Sequence, residues 1–186
     1  MSGGPDAPMP PRHVIDEDSF TLAARLPTGP VPVEPYRSPE FFEREREQVF
    51  KRAWLYAGRI EMLPEATRYF VKDIDVVKAS VLVTRGRDGV IRAFHNVCSH
   101  RGNLVVNTKC GKAERFVCRY HNWAYGCEKG DLLGIPDQKH FFDVDKSALG
   151  LTPIACEVWE GFIFINIVTI ATGGTRFSKG SSNDPS

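Results

Sequence analysis

Two short stretches of the chain decide the fold: Asn-Val-Cys-Ser-His-Arg-Gly-Asn at 96–103 and Cys-Arg-Tyr-His-Asn-Trp-Ala-Tyr-Gly at 118–126. Each stretch pairs one cysteine with one histidine, and the four side chains are Cys98, His100, Cys118 and His121. Runs rich in β-branched residues border both stretches, which predicts that each pair lies in a loop between strands. Two such loops facing each other would bring two thiolates and two imidazoles together.

This donor set predicts a [2Fe–2S] cluster of the Rieske type, in which two histidines replace two of the four cysteines. Two sulfurs can bind one iron and two nitrogens the other. Since imidazole is neutral, the potential rises to roughly −150 to +300 mV, against about −400 mV for a plant-type cluster with four cysteines. Zinc is the alternative, but zinc fingers usually separate a cysteine pair from a histidine pair. Each loop here mixes the two types, which favours the cluster.

The residues around these four positions resemble the N-terminal domain of aromatic ring-hydroxylating oxygenase large (alpha) subunits. The resemblance runs from about residue 35 to 167 and includes both loops and the stretches 50–59, 134–137 and 159–166. It implies a mainly β fold class, namely a Rieske-type antiparallel β-sheet domain with two cluster-binding loops, preceded by one N-terminal α-helix. It also implies that Cys98 and Cys118 bind one iron, and that His100 and His121 bind the other.

The same resemblance implies that the chain is an oxidoreductase component that passes single electrons. Members of the family relay electrons from a reductase or ferredoxin to a mononuclear iron, usually in a neighbouring subunit of a trimer. That iron needs two histidines and one carboxylate. Two of the five histidines are assigned to the cluster, and none follows His140. We therefore expect no mononuclear iron and no catalytic residue in this chain, which looks truncated before the catalytic domain.

Four further residues are predicted to surround the cluster without binding iron: Arg101, Gly102, Tyr120 and Trp123. Arg101 and Trp123 would screen or shield it, and Gly102 would serve the geometry of its loop. Tyr120 and Asn103 stand where Rieske proteins of respiratory complexes carry the two cysteines of a disulfide clamp, so no clamp can form. Trp123 replaces a serine that donates to a cluster sulfur in those proteins. We therefore expect a potential toward the low end of the Rieske range.

The remaining cysteines and histidines have no ligand spacing, and we expect structural or surface roles for them: Cys110, Cys127, Cys156, His13, His95 and His140. An odd number of cysteines, five, does not suggest a disulfide framework. We expect a cytoplasmic protein. The chain has 24 basic and 23 acidic residues, and its longest apolar run, 161–168, is too short to cross a bilayer. No nucleic-acid or membrane partner is therefore expected.

Composition divides the chain into three parts. Residues 1–37 are predicted to form a flexible arm because proline and glycine are frequent there, and residues 168–186 a polar disordered tail. Between them, residues 38–167 would form the Rieske domain. Its leading helix is predicted over Ser38–Ala53, with Ser38 as the N-cap and Pro39 in the first turn. Strand-like runs follow at 69–71, 76–84, 90–97, 115–118, 123–125 and 161–167.

Three functional interpretations remain open from the sequence. In the first, the chain is the electron-entry domain of a ring-hydroxylating oxygenase whose catalytic domain is supplied elsewhere. In the second, it is a free-standing Rieske carrier similar to a small ferredoxin. In the third, it is a remnant that folds poorly because surface meant for the catalytic domain is exposed. The leading helix and the long arm favour the first interpretation, since a minimal carrier needs neither.

Overall fold

The computed structural model describes residues 29–140 and 144–168. Most of the predicted arm and nearly all of the predicted tail lie outside these residues. The chain separates into two units between Arg37 and Ser38. The described part of the first unit contains one 3-10 turn, Glu34–Tyr36. No helix in the described residues is long and apolar enough to cross a membrane.

The second unit begins with the predicted helix. Ser38 is its N-cap and accepts a hydrogen bond from the backbone N–H of Phe41, 3.1 Å away, so the predicted start is confirmed. The helix α1 covers Pro39–Glu45 and continues as a π-helical segment over Arg46–Phe50. It therefore ends three residues before the predicted Ala53.

The side chain of Arg46 links the end of this helix to a 3-10 turn further along the chain. Its side chain is 9% exposed, its Nε donates to the carbonyl of Val76 at 2.7 Å, and its guanidinium pairs with Glu43. A buried guanidinium needs such partners to offset the loss of hydration. The contact fixes the helix against the 3-10 turn Asp75–Val77.

Ten antiparallel strands form two sheets. The larger sheet has the order β1-β10-β9-β4-β3-β2-β5 and the smaller β6-β7-β8. The strands are β1 Leu55–Arg59, β2 Arg68–Ile74, β3 Ala79–Arg85, β4 Ile91–His95, β5 Cys110–Lys112, β6 Arg115–Val117, β7 Ala124–Gly126, β8 Leu132–Gly134, β9 Pro153–Trp159 and β10 Phe162–Asn166. Further 3-10 turns cover Ile60–Met62, Gln138–His140 and Lys146–Ala148. The mainly β fold with one leading helix is confirmed.

The predicted strand 76–84 starts too early. Val76 and Val77 belong to a 3-10 turn, and Lys78 then adopts a left-handed conformation with φ of 53°. The strand begins only at Ala79, because a left-handed residue breaks the extended backbone. The sequence prediction also missed four strands, namely β1, β5, β8 and β9.

The sheets enclose two buried clusters of apolar side chains, and β3 contributes to both. Leu82 packs into the cluster that contains Trp123 and Tyr125, whereas Val81 and Val83 point to the other side. Such alternation follows from the two-residue period of a strand. The cluster with Leu82 also contains Cys98 and Cys118, so the predicted ligands rest directly on the core.

Candidate metal centre

The first loop, loop A, connects β4 to β5 and carries Cys98 and His100. The backbone N–H of Cys98 donates to the carbonyl of Asn103 at 2.8 Å, and the N–H of Gly102 donates back to Cys98 at 2.9 Å. Gly102 has φ of 70°, a conformation that favours glycine. The predicted role of Gly102 in loop geometry therefore has a specific cause. It closes a tight turn around His100.

The second loop, loop B, connects β6 to β7 and repeats this turn. The N–H of Cys118 donates to the carbonyl of Trp123 at 2.9 Å, and the N–H of Asn122 donates to Cys118 at 2.8 Å. Asn122 has φ of 58° and takes the place that glycine has in loop A. Asparagine tolerates this conformation better than most residues. The two loops therefore share one backbone design.

Asn96 anchors the base of loop A. It is fully buried, and its Nδ2 donates to the carbonyl of Val106 at 2.8 Å while its Oδ1 accepts from the Val106 N–H at 2.9 Å. The same Nδ2 lies 3.3 Å from the Ser80 hydroxyl. A buried amide with all these bonds satisfied holds its loop firmly. Loop A therefore presents its ligands from a rigid base.

The four predicted ligands meet where the loops face each other. Cys98 and Cys118 are 3% and 1% exposed, and Cys98 is near enough to lower the pKa of Cys118. The imidazoles of His100 and His121 meet edge to face with ring centroids 4.6 Å apart. The Nδ1 atom of His100 is buried without a hydrogen-bond partner among the described residues. Buried polar atoms are normally paired, so this nitrogen suits a metal.

This arrangement fits the divided ligand set of a two-iron cluster. A Rieske cluster divides its protein ligands between two irons, so each iron takes only two of them. Paired sulfurs beside paired imidazoles match that division.

Several donors point at the sulfur of Cys118. Burial alone would raise the pKa of this thiol. The net direction is nevertheless downward, chiefly because the backbone N–H of Tyr120 favours the thiolate, with smaller contributions from Cys98, the backbone N–H of His121 and the side chain of Asn103. The Nδ2 atom of Asn103 lies 3.9 Å from it. These donors favour the thiolate, which is the form that binds metal.

Tyr125 is a site residue that the sequence analysis missed. Its side chain is completely buried, and its hydroxyl lies 3.1 Å from the sulfur of Cys98. The backbone N–H of Ser99 donates to the same oxygen, also at 3.1 Å. Burial first, and then the contact with Cys98, raise the pKa of Tyr125, so the hydroxyl stays protonated and can donate to a thiolate.

These contacts correct the expectation that the sulfurs of Cys98 and Cys118 accept few hydrogen bonds. The absence of serine at position 123 suggested weak donation, but Tyr125 and Asn103 both reach a ligand sulfur. The signal for Tyr125 was its position in a short strand just after loop B. A period-two pattern places it on the same inward face as Trp123. The expected low potential stays a prediction.

The predicted surrounding residues occupy three different environments. Trp123 is 4% exposed, and its indole stacks on His100 with a centroid distance of 4.6 Å and an interplanar angle of 7°. Tyr120 is exposed and lies over His121 at 3.8 Å. Arg101 is exposed and acts on His100 through its charge. Burial, His121 and Arg101 together lower the pKa of His100.

The other cysteines differ in accessibility. Cys110 is exposed, Cys127 is buried and Cys156 is partly buried. Burial, with the nearby carboxylate of Glu128, raises the pKa of Cys127 to about 11. Burial, with Glu157, raises that of Cys156 to about 12. Such thiols stay protonated at neutral pH and are poor nucleophiles, as expected of structural residues.

Comparison with known proteins identifies the family of the chain. Residues 53–154, more than half of the chain, match the family model described as the Rieske [2Fe-2S] domain. The chain therefore belongs to the Rieske [2Fe–2S] domain family, and its cofactor is a [2Fe–2S] cluster.

Its relatives are large oxygenase subunits. The large oxygenase component of the naphthalene 1,2-dioxygenase system of Pseudomonas aeruginosa is 39% identical over 128 residues, which are 67% of this chain and 28% of that protein. The carnitine monooxygenase oxygenase subunit of Escherichia coli (strain K12) is 34% identical over 170 residues, 90% of this chain and 42% of that protein. The chain thus spans well under half the length of these relatives.

A solved structure extends the similarity to the fold. The quaternary ammonium Rieske monooxygenase CntA in complex with L-carnitine superposes with a TM-score of 0.70 at 31% identity. The match covers 76% of this chain and 40% of that one. The antiparallel sheets are therefore those of a Rieske domain.

Proposed function

We propose that this chain transfers single electrons through a Rieske cluster bound by Cys98, His100, Cys118 and His121, as the electron-entry domain of a ring-hydroxylating type of oxygenase. The observation that carries the proposal is the pairing of two buried sulfurs with two adjacent imidazoles at facing loops. The unpartnered Nδ1 of His100 supports it. When bound, the cluster supplies one-electron redox chemistry at a potential set by its mixed ligands.

Residues of this chain would stabilise the reduced cluster and limit its contact with water. Tyr125, Asn103 and the backbone of loop B donate to the ligand sulfurs and stabilise added negative charge. Trp123 and the core exclude water from the inner side of the site. His100 and His121 lie nearer the surface, so the electron would enter and leave at the histidine side.

The proposed partners are an electron-donating reductase or ferredoxin and a catalytic domain or subunit that accepts the electron. Loops A and B suit a protein partner with acidic surface. Between residues 96 and 109 and between 117 and 123 they contain the cations Arg101, Lys109 and Arg119 and no carboxylate. Opposite charges speed the encounter of electron-transfer partners. We keep the prediction that this chain contributes no mononuclear iron.

The test is iron and sulfide analysis with electron paramagnetic resonance of the dithionite-reduced protein. We expect two irons and two sulfides per chain and a rhombic signal with coupling to imidazole nitrogens. Replacing His100 or His121 by cysteine should abolish one of these couplings and lower the midpoint potential, because a thiolate adds negative charge. The control is His95→Gln, since His95 is a half-buried histidine of β4 outside both loops.

Two outcomes would contradict the proposal. Stoichiometric zinc without sulfide would identify a zinc site instead. An unchanged spectrum and midpoint in both cysteine variants would mean that the imidazoles do not bind iron. A free-standing carrier would be indicated if the reduced chain passed its electron to a complete oxygenase in solution.

A further inference from the structure

Four aromatic rings form a continuous array across the metal centre. The array runs from the indole of Trp123 in the core, through His100 and His121, to the phenol of Tyr120 at the surface. Trp123 is 4% exposed and Tyr120 is 59% exposed. Each imidazole therefore has one further aromatic neighbour besides the other imidazole.

The two imidazoles also need groups that set their orientation. A histidine that binds metal is usually oriented by a hydrogen bond from its second ring nitrogen to a carboxylate, a carbonyl or water. The unpartnered Nδ1 of His100 is the nitrogen that suits the metal, so it does not orient the ring. The contacts that the two imidazoles make with aromatic rings can contribute to this orienting role.

We propose that Trp123 is a positioning residue that fixes the ring planes of both imidazoles by stacking, with Tyr120 holding the outer side. The proposal rests on the proposed function, in which His100 and His121 bind iron. The indole is packed in the core cluster, which limits how far it can tilt. Stacking at an interplanar angle of 7° favours the same plane for the imidazole of His100.

The constraint passes from one histidine to the other. His121 meets His100 at an interplanar angle of 68°, so the edge of one ring rests against the face of the other. Offset-stacked and edge-to-face contacts are the favoured arrangements of aromatic pairs. Tyr120 then closes the outer side of His121 at 37°. Orientation by stacking differs from orientation by a hydrogen bond, because it depends on ring shape and not on a proton.

The decisive variants are Trp123→Leu, which keeps apolar volume but removes the ring, and Trp123→Phe, which keeps a ring. The control is Phe116→Leu, since Phe116 is 3% exposed in the same core cluster and pairs with Tyr69 instead of a histidine. The readout is pulsed electron paramagnetic resonance of nitrogen couplings in the reduced protein, normalised to cluster content. Trp123→Leu should lower the ratio of the native to alternative imidazole orientations about two- to tenfold, the loss expected for one aromatic pair.

Trp123→Phe and Phe116→Leu should keep couplings close to those of the wild type. The exposed variant Tyr120→Leu, which carries little folding risk, should broaden the coupling of His121 and leave that of His100 sharp. Unchanged couplings in both Trp123→Leu and Tyr120→Leu would overturn the proposal. So would an equal change, or equal cluster loss, in Phe116→Leu and Trp123→Leu.

Failure of the proposed function gives a different result. In that case the wild-type protein would already lack the rhombic signal and the imidazole couplings. If the wild-type protein shows the rhombic signal and the imidazole couplings, and Trp123→Leu and Tyr120→Leu leave the couplings unchanged, only the positioning role is refuted.

Discussion

Replacing Tyr125 by phenylalanine should lower the midpoint potential of the cluster. The hydroxyl of Tyr125 lies 3.1 Å from the sulfur of Cys98 and is directed at it from a fully buried ring. Adding an electron to the cluster increases the negative charge on this sulfur. The hydrogen bond is therefore stronger in the reduced state, and its removal destabilises that state more than the oxidised one.

The size of the shift follows from the strength of such a bond. A hydrogen bond to a charged group contributes about 1.5–3 kcal/mol. If roughly half of this differs between the two redox states, the reduced form loses about 0.75–1.5 kcal/mol on mutation. For a one-electron couple, about 1.4 kcal/mol corresponds to about 59 mV. We therefore expect the midpoint to fall by about 30–65 mV.

The assay is a dye-mediated redox titration followed by electron paramagnetic resonance at fixed pH. The matched control is Tyr69→Phe, because the hydroxyl of Tyr69 bonds to Thr108 at 2.8 Å and touches neither ligand sulfur. Tyr125→Phe should also cost about 1 kcal/mol of stability, since the Ser99 N–H loses its acceptor. If the midpoint potential of Tyr125→Phe equals that of Tyr69→Phe within error, or is higher, the hydroxyl of Tyr125 does not stabilise the reduced cluster.

Three further predictions concern the loops and the thiols. Asn122→Val should destabilise the folded protein by about 1–2 kcal/mol and Asn122→Gly should not, as measured by urea unfolding, because position 122 has a left-handed backbone. Iodoacetamide at pH 8 should modify Cys110 and spare Cys156 in mass spectra, and modification of Cys156 should increase toward pH 12, near its raised pKa. Arg101→Gln with Arg119→Gln should slow oxidation of the reduced cluster by anionic hexacyanoferrate(III) roughly two- to fivefold at low salt, and not slow oxidation by cationic hexaamminecobalt(III). Equal effects on both oxidants would contradict a positive field at the loops.

The ligand pairs could be predicted from sequence because their chemistry restricts residue type and spacing together. Few structures other than a Rieske cluster explain one cysteine and one histidine in each of two short loops. The start of the leading helix could also be predicted, since Ser38 and Pro39 are local signals that need no tertiary contact. The end of the helix was harder to predict, because the segment becomes π-helical where the Arg46 side chain donates to the carbonyl of Val76, 30 residues further along the chain.

The missed strands have weak local signals. The strand β9, Pro153–Trp159, begins with proline and contains alanine and glutamate, which are not typical of strands. It is extended because it pairs along its length with β10, where Trp159 lies opposite Phe162. Conversely, Val76 and Val77 have high β propensity but form a turn, since Lys78 reverses the backbone. Strand pairing with β10 and, for Ile154, with the distant Ala93 decided the first case, and the left-handed backbone at Lys78 decided the second.

The side-chain donors to the sulfurs were unpredictable because Tyr125 and Asn103 are distant in sequence from the cysteines that they contact, and their arrangement shows how the two loops act as one unit. In each loop the fifth residue after the cysteine closes its own turn through its backbone carbonyl, namely Asn103 in loop A and Trp123 in loop B. The side chain of each then reaches the other loop. Asn103 donates to the sulfur of Cys118, and Trp123 stacks on His100. Neither loop can therefore place its ligands without the other.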